Sequence, residues 1–183
     1  MATYTKLSPQ IIQSIADEYD LKIVESYSLK GGSGNSSFVL RDNHSSYVLT
    51  VCDDKNLKEI SKMGELLLFL ESHNLPCSRL VLTSNNDRMS TLKISNKIKP
   101  VMLKRHIEGH VIKELDETML FQIGSEVARL NKIPSPDYLP ISHPYGLELF
   151  SSVIGLNIDI EYESWLSKEM IYLKGLVVMM ILT

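Results

Sequence analysis

Eight residues, Lys30-Gly31-Gly32-Ser33-Gly34-Asn35-Ser36-Ser37, form the stretch of this chain with the most evident capacity for chemistry. Three glycines within four positions let backbone N–H groups approach a ligand closely. Successive N–H groups of that kind make a concavity suited to a phosphate. The hydroxyls of Ser33, Ser36 and Ser37 could add hydrogen bonds. No Gly-Lys-Ser/Thr ending follows, and the stretch lies between two strand-like runs. It is therefore not the strand-to-helix phosphate loop. A glycine turn joining two antiparallel strands covers phosphates from above instead. A plain Gly-Ser hairpin turn is the competing reading.

Three further features follow in order along the chain. The run Tyr47-Val48-Leu49-Thr50-Val51 lies where a phosphate-contacting residue would sit beneath such a loop. The next helix offers Glu65, a carboxylate that could support that strand. The segment Val101 to Gly109, with Lys104, Arg105, His106 and Ile107 at its centre, joins a β-rich part to a helical part. A hinge at that point could read an adenine edge through its backbone. Taken singly, these are a core strand, a solvated helix charge and a solvated edge. Their shared order separates them from those readings.

The elements that must position these residues are legible from pattern. Ser8-Pro9 is a helix start, with Ser8 as cap and Pro9 in the first turn. Ile11, Ile12, Ile15, Ala16 and Tyr19 recur at helical spacing, and the helix should end near Asp20. Strands are expected over Leu21 to Leu29, Ser37 to Arg41 and Ser45 to Cys52, the last two joined by the turn Asp42-Asn43-His44. Asn56 to His73 is the clearest helix, stopped by Glu71 to Asn74 and Pro76. Arg79 to Thr83, Ser90 to Ile94 and Ile98 to Ile107 read as three more strands, with Pro100 near the start of the last.

After Gly109 the pattern becomes helical. Leu120, Ile123, Val127 and Leu130 share one face of a helix beginning at Asp116. A loop with Pro134, Pro136, Pro140 and Pro144 follows, and then Ile158 to Leu173 reads as a helix around Trp165. The fold class is α+β: a mostly antiparallel sheet with helices over residues 1–108, then a helical segment over 109–183.

Composition narrows the class of protein. The 183 residues carry a formal net charge of −3 and are 44% apolar. A packed core is expected, and the mild acidity argues against a nucleic-acid partner. Two cysteines, Cys52 and Cys77, cannot make a disulfide scaffold, and five histidines without clustered cysteines give no zinc pattern. MATYTKLSPQ lacks a signal-peptide core, which favours a cytoplasmic setting. The longest apolar run, Leu176 to Leu182, falls far short of the roughly 20 residues of a membrane span.

With these residues in view, the chain resembles the aminoglycoside phosphotransferase superfamily, nearest its homoserine kinase type II branch. The resemblance rests on Gly31 to Phe38, on Tyr47 to Val51, and on Glu65-Leu66-Leu67 through Leu75-Pro76. The helix Ile123 to Leu130 resembles the first helix of the family's large lobe, although Asn131 stands where a histidine is usual. The resemblance covers roughly residues 8 to 175. It implies a protein-kinase-like N-terminal lobe followed by the first helices of a helical C-terminal lobe. It also implies ATP and Mg2+, and phosphoryl transfer to a hydroxyl of a small molecule.

In that reading Gly31, Gly32, Ser33, Gly34, Asn35, Ser36 and Ser37 cover the phosphates. Lys104, Arg105, His106 and Ile107 hold the adenine. Thr50 stands where many relatives carry a lysine or arginine, which fits the homoserine kinase branch and leaves Glu65 without its usual charge partner.

The family's His-Gly-Asp-type catalytic loop and its later metal-binding aspartate are not found. Asp53, Asp54, Asp87, Asp116 and Asp159 all lie in the wrong context. The expectation is a chain truncated before the catalytic loop, with no catalytic or metal-ligating residue of its own and inactive alone. A non-catalytic nucleotide-binding or protein-interaction module is the alternative. Under either reading, the uncovered lobe face and the Leu176 to Leu182 run could self-associate. His143 and Tyr145 are candidate acceptor contacts.

Overall fold

A computed structural model describes residues 5–30, 34–94 and 96–139, together with Ser164 and Lys168. The chain divides into two compact units, Met1–Ser135 and Pro136–Thr183. The first holds helix α1 (Pro9–Asp17), strands β1 (Glu25–Ser28), β2 (Asn35–Arg41) and β3 (Ser46–Cys52), helix α2 (Leu57–Ser72), strands β4 (Leu80–Val81), β5 (Ser90–Ile94) and β6 (Lys97–Arg105), and helix α3 (Glu117–Asn131). In the second, the Leu139 N–H donates to the Pro136 carbonyl, and Ser164 and Lys168 are helical. The expected Ile158 to Leu173 helix otherwise lies outside the described residues, as do His143, Tyr145, Asp159 and the Leu176 to Leu182 run.

Local chemistry sets the helix ends. Ser8 accepts the Ile11 N–H through its hydroxyl, and Pro9 opens the first turn of α1. Asn56 and Glu59 form a reciprocal capping box at the start of α2. Both helices end in a left-handed residue, Asp20 at φ 54 and Asn74 at φ 56. Beyond each, an N–H reaches back six residues inclusive: Leu21 to Ala16 and Leu75 to Leu70. That closes the orphan carbonyls of the last turn. The helix expected to end near Asp20 therefore stops at Asp17, and residues 18–20 form its cap.

The sheet is antiparallel throughout, in the order β1-β2-β3-β6-β4, with β5 also paired to β6. Asp42 makes the β2–β3 turn by accepting the His44 and Ser45 N–H groups at 2.7 and 2.6 Å. Those two bonds hold its carboxyl below the usual range against slight burial. The first expected strand shrinks to Glu25–Ser28. The second gains Asn35 and Ser36, so the sheet begins inside the glycine stretch.

Alternation along the strands splits the packing between two faces. Ile12, Ile15 and Tyr19 of α1 cover Phe38, Leu40, Tyr47, Leu49, Val51, Leu92, Val101 and Leu103. Burial there pushes the Tyr19 hydroxyl up to about 12. On the opposite face α2 brings Ile60, with Leu67 and Leu68, over Cys52, Leu80 and Met102. Helix α3 has no buried residue. Its Leu120, Ile123, Val127 and Leu130 stay about half exposed. No helix among the described residues is long and apolar enough to cross a membrane.

Candidate functional site

The glycine stretch enters the sheet through Gly34, whose φ of +88 is in the region that favours glycine. A β-carbon at this position would lie 2.5 Å from an Asp54 carboxylate oxygen. The backbone conformation is what requires glycine here, since the exposed Asp54 side chain could swing aside. Gly31, Gly32 and Ser33 lie outside the described residues.

From Asn35 onward, register decides which side chains face the α2 side. Asn35 pairs with Cys52, Ser37 with Thr50, and Val39 with Val48. Across the next ladder Thr50 pairs with Met102 and Val48 with Lys104. Asn35, Ser37, Thr50 and Lys104 therefore share one face of three adjacent strands, Asn35 and Ser37 next to the glycine entrance and Lys104 on the rung of Val48 further along. Thr50 is buried and Lys104 half-buried. The Asn35 Oδ1 is buried with no hydrogen-bond partner among the described residues.

Ser36 and Arg105 are placed on the other face. The Ser36 hydroxyl donates to Asp53 Oδ2 at 2.6 Å and accepts the Thr5 N–H at 2.7 Å. Asp53 also accepts from the Thr5 hydroxyl and from Lys99 Nζ, which donates to Thr5 as well. Burial pushes the Asp53 carboxyl up. Bonds from Lys99, Ser36 and Thr5 outweigh that and hold it below the ordinary range. This cluster ties the approach to α1 to the base of the glycine stretch. Arg105 stacks over Tyr47 with its Cζ 5.0 Å from the ring centroid, and donates to the Tyr47 hydroxyl at 3.2 Å.

The chain leaving β6 is fastened on both sides. The Arg105 N–H donates to Arg79 and the His106 N–H to Ser46. The Ile107 N–H makes no hydrogen bond among the described residues, and the His106 Nδ1 is buried without a partner there. Glu65 reaches Arg88 at 4.0 Å, a cation supplied by the connection between β4 and β5. Nothing in the local pattern around Glu65 signals this partner, which lies 23 positions along the chain.

The described residues contain no group of three or more His, Cys, Asp or Glu side chains that could hold a metal ion. Their chemistry suits anion covering and base recognition: backbone donors, hydroxyls, one half-buried ammonium and an apolar floor. Cys52 adds no nucleophile, because burial pushes its thiol up to about 11.

With this geometry in view, the comparisons with known proteins are informative. The chain belongs to the phosphotransferase enzyme family, which matches it over residues 28–158, more than half its length. No curated protein matches it. Its fold is similar to that of a spectinomycin phosphotransferase solved with ADP and spectinomycin, at 15% identity and a TM-score of 0.59, covering 94% of this chain and 56% of that one. A microcompartment-associated aminopropanol kinase is similar at 16% identity and a TM-score of 0.58, over 77% of this chain and 46% of that one. An amicoumacin kinase in complex with AMP-PNP, Ca2+ and Ami is similar at 16% identity and a TM-score of 0.51, over 72% of this chain and 42% of that one. The chain thus spans about half the length of these solved relatives. The sheet and its helices match the kinase-like N-terminal lobe of such enzymes.

Proposed function

We propose that the α2-side face of the sheet, at the end where Gly34–Ser37 enter it, binds the nucleotide of a phosphoryl transfer to a small-molecule hydroxyl. The observation that carries this reading is the placement of Ser37 and Thr50 beside Gly34 on one face, with Lys104 on the same face one rung further along, toward residues 104–107. The backbone of residues 31–37 would cover the phosphates, and Ser37 would donate to them. Thr50 would line the floor. Adenine would lie toward residues 104–107, where the Ile107 N–H is open to a base edge.

The residues fit ATP in this respect: Gly34 holds a backbone conformation that favours glycine, at the entrance where backbone N–H groups can approach a phosphate closely. As a bound cosubstrate ATP supplies the phosphoryl group. The chain's own contribution is to bind, orient and exclude water. Mg2+ finds no ligand set among the described residues, so no step is assigned through it. The acceptor of finer choice is homoserine-like, a reading supported by Thr50. The reading includes that the chain alone does not turn over, because the described residues hold no metal-binding carboxylate group and such groups supply much of the transition-state stabilisation.

A ligand that binds only the folded state raises the melting temperature. MgATP is expected to stabilise the wild-type chain and not Gly34→Val. Equal shifts, or none in either protein, would overturn the nucleotide reading. ADP production with homoserine or an aminoglycoside would overturn the inactivity of the isolated chain.

A second reading, an interaction module, is favoured by one observation. An apolar groove of about 420 Å3 lies between Leu70, Leu75 and Pro76 and the Ile123, Val127 and Leu130 side of α3. A protein surface covering it would bury that stripe. Sedimentation of the chain over a concentration series checks for self-association.

A further inference from the structure

Several cations that face the sheet of the described lobe are engaged by their neighbours. Lys99 is bonded to Asp53 and Thr5 on the α1 face. Arg105 is stacked on Tyr47 on the same face. On the α2 face, Arg41 is paired with Glu25 at 2.9 Å and stacked over Tyr27. Arg88 takes Glu65, the one carboxylate of α2 singled out as support for β3.

Lys104 differs. It is half-buried, flanked in register by Val48 on β3 and Leu80 on β4, and beside the cluster of Cys52, Leu80 and Met102. It forms no ion pair among the described residues. An ammonium against apolar surface without a counter-charge is a cost unless an anion joins it.

We propose that the Lys104 side chain supplies the positive charge for the nucleotide's phosphates that β3, with Thr50, does not. The proposal rests on the nucleotide reading of this face and assigns a side-chain role to a residue otherwise expected to act through its backbone.

Register supports it. Thr50 is the diagonal neighbour of Lys104, about 7–8 Å away between α-carbons, a span long side chains cross. Cys52 lies four positions beyond Val48, at the end where the glycine stretch enters, and Lys104 is the first charge to oppose the effect of burial on its thiol. Lys30, before the glycines, and Lys55, after β3, are the other cations close in sequence to that end.

The test compares two probes, MgATP and adenosine, by calorimetry on the full chain. Lys104→Met is expected to weaken MgATP by about tenfold or more, the loss of one charge-assisted hydrogen bond, and adenosine by less than about twofold. Lys104→Arg should retain MgATP binding. Thr50→Lys in the Lys104→Met background should restore it, because the charge returns to the same face one diagonal away. Lys30→Met and Lys55→Met should each cost less than Lys104→Met. Ligand-free melting temperatures establish that every variant is folded.

Equal weakening of both probes, or unchanged MgATP binding by Lys104→Met while the wild type binds, overturns the assignment to Lys104 and leaves the nucleotide site standing. Failure of the wild-type chain to bind either probe removes the site itself. If Lys55→Met carries the loss instead, the charge comes from the β3–α2 connection and Lys104 is overturned.

Discussion

On β3 the side chains of Tyr47, Leu49 and Val51 go to one face of the sheet, and those of Val48, Thr50 and Cys52 go to the other. The first set is sealed beneath α1 with Phe38, Leu40, Val101 and Leu103. The polar groups at its margin, Ser36, Asp53, Lys99 and Thr5, are bonded to one another. The second set is sealed only where α2 lies. Beyond that, Ser37 and Thr50 sit beside the glycine entrance, and Lys104 one rung further on, with much less internal pairing. Alternation alone thus gives one strand two unlike faces: one satisfies its own polar groups, and the other leaves several unpaired, which the proposed function assigns to a ligand. Substitutions one residue apart should therefore separate stability from binding.

The largest expected effect is on the α1 face. Leu49 is fully buried, and Leu49→Ala should cost about 3 kcal/mol through lost contacts and a residual cavity. In a lobe of this size that lowers the melting temperature by more than about 10 °C. Val48→Ala, one residue away on the other face and only half-buried, should cost less than half as much. Thermal unfolding of the two variants checks the difference. Equal losses would break the division between faces.

Next comes the Asp53 cluster. Removing one partner leaves a largely buried ammonium uncompensated, and Asp53→Ala should cost about 2 kcal/mol, short of a fully buried pair because water reaches Lys99 in part. The carboxyl is held below its ordinary value of 3.8 when folded. Its contribution is therefore complete above that value and disappears as pH falls through the lower, folded one. Urea midpoints between pH 6 and pH 2.5 should decline in the wild type, with a smaller decline in Asp53→Ala.

Gly34 belongs to both purposes. Gly34→Ala forces a β-carbon into a left-handed conformation, at about 1–2 kcal/mol, and against Asp54. It should lower the melting temperature by several degrees and abolish the shift produced by MgATP. A variant that melts lower yet still responds fully to MgATP would confine Gly34 to the turn.

How much of this was readable in advance follows from the range of the interactions. Caps and turns are local, so Ser8, Asn56 and the Asp42 turn declared their elements within four residues. The glycine stretch was legible for the same reason. The position of β6 between β3 and β4 was not, because it depends on pairings more than fifty residues apart, such as Tyr47 with Arg105. The assignment of residues to faces was hidden too. Val48 and Leu49 are both apolar, and a strand packed on both sides has no polar alternation to read. Asp53 and Asp54 were set aside as acids in the wrong context. Only the fold brings Lys99, 46 positions away, to Asp53. Likewise the Arg88 partner of Glu65 is a tertiary fact.

The finest test lies in two adjacent serines of β2. Ser36 faces α1, and its hydroxyl completes the Asp53 cluster. Ser37 faces the other way, opposite Thr50. Ser36→Ala removes one donor from a carboxylate that keeps its bonds from Lys99 and Thr5, so the cost should be about 1 kcal/mol of stability. MgATP binding should stay within about twofold, because the Ser36 hydroxyl points away from the ligand face. Ser37→Ala should do the reverse, leaving the melting temperature within a degree or two and weakening MgATP several-fold. Same chemistry, same strand and neighbouring positions remove composition and local propensity as explanations, which leaves the face as the single variable. If the two variants behave alike in both measurements, β2 does not divide its side chains between structure and ligand, and the binding face must be sought elsewhere on the lobe.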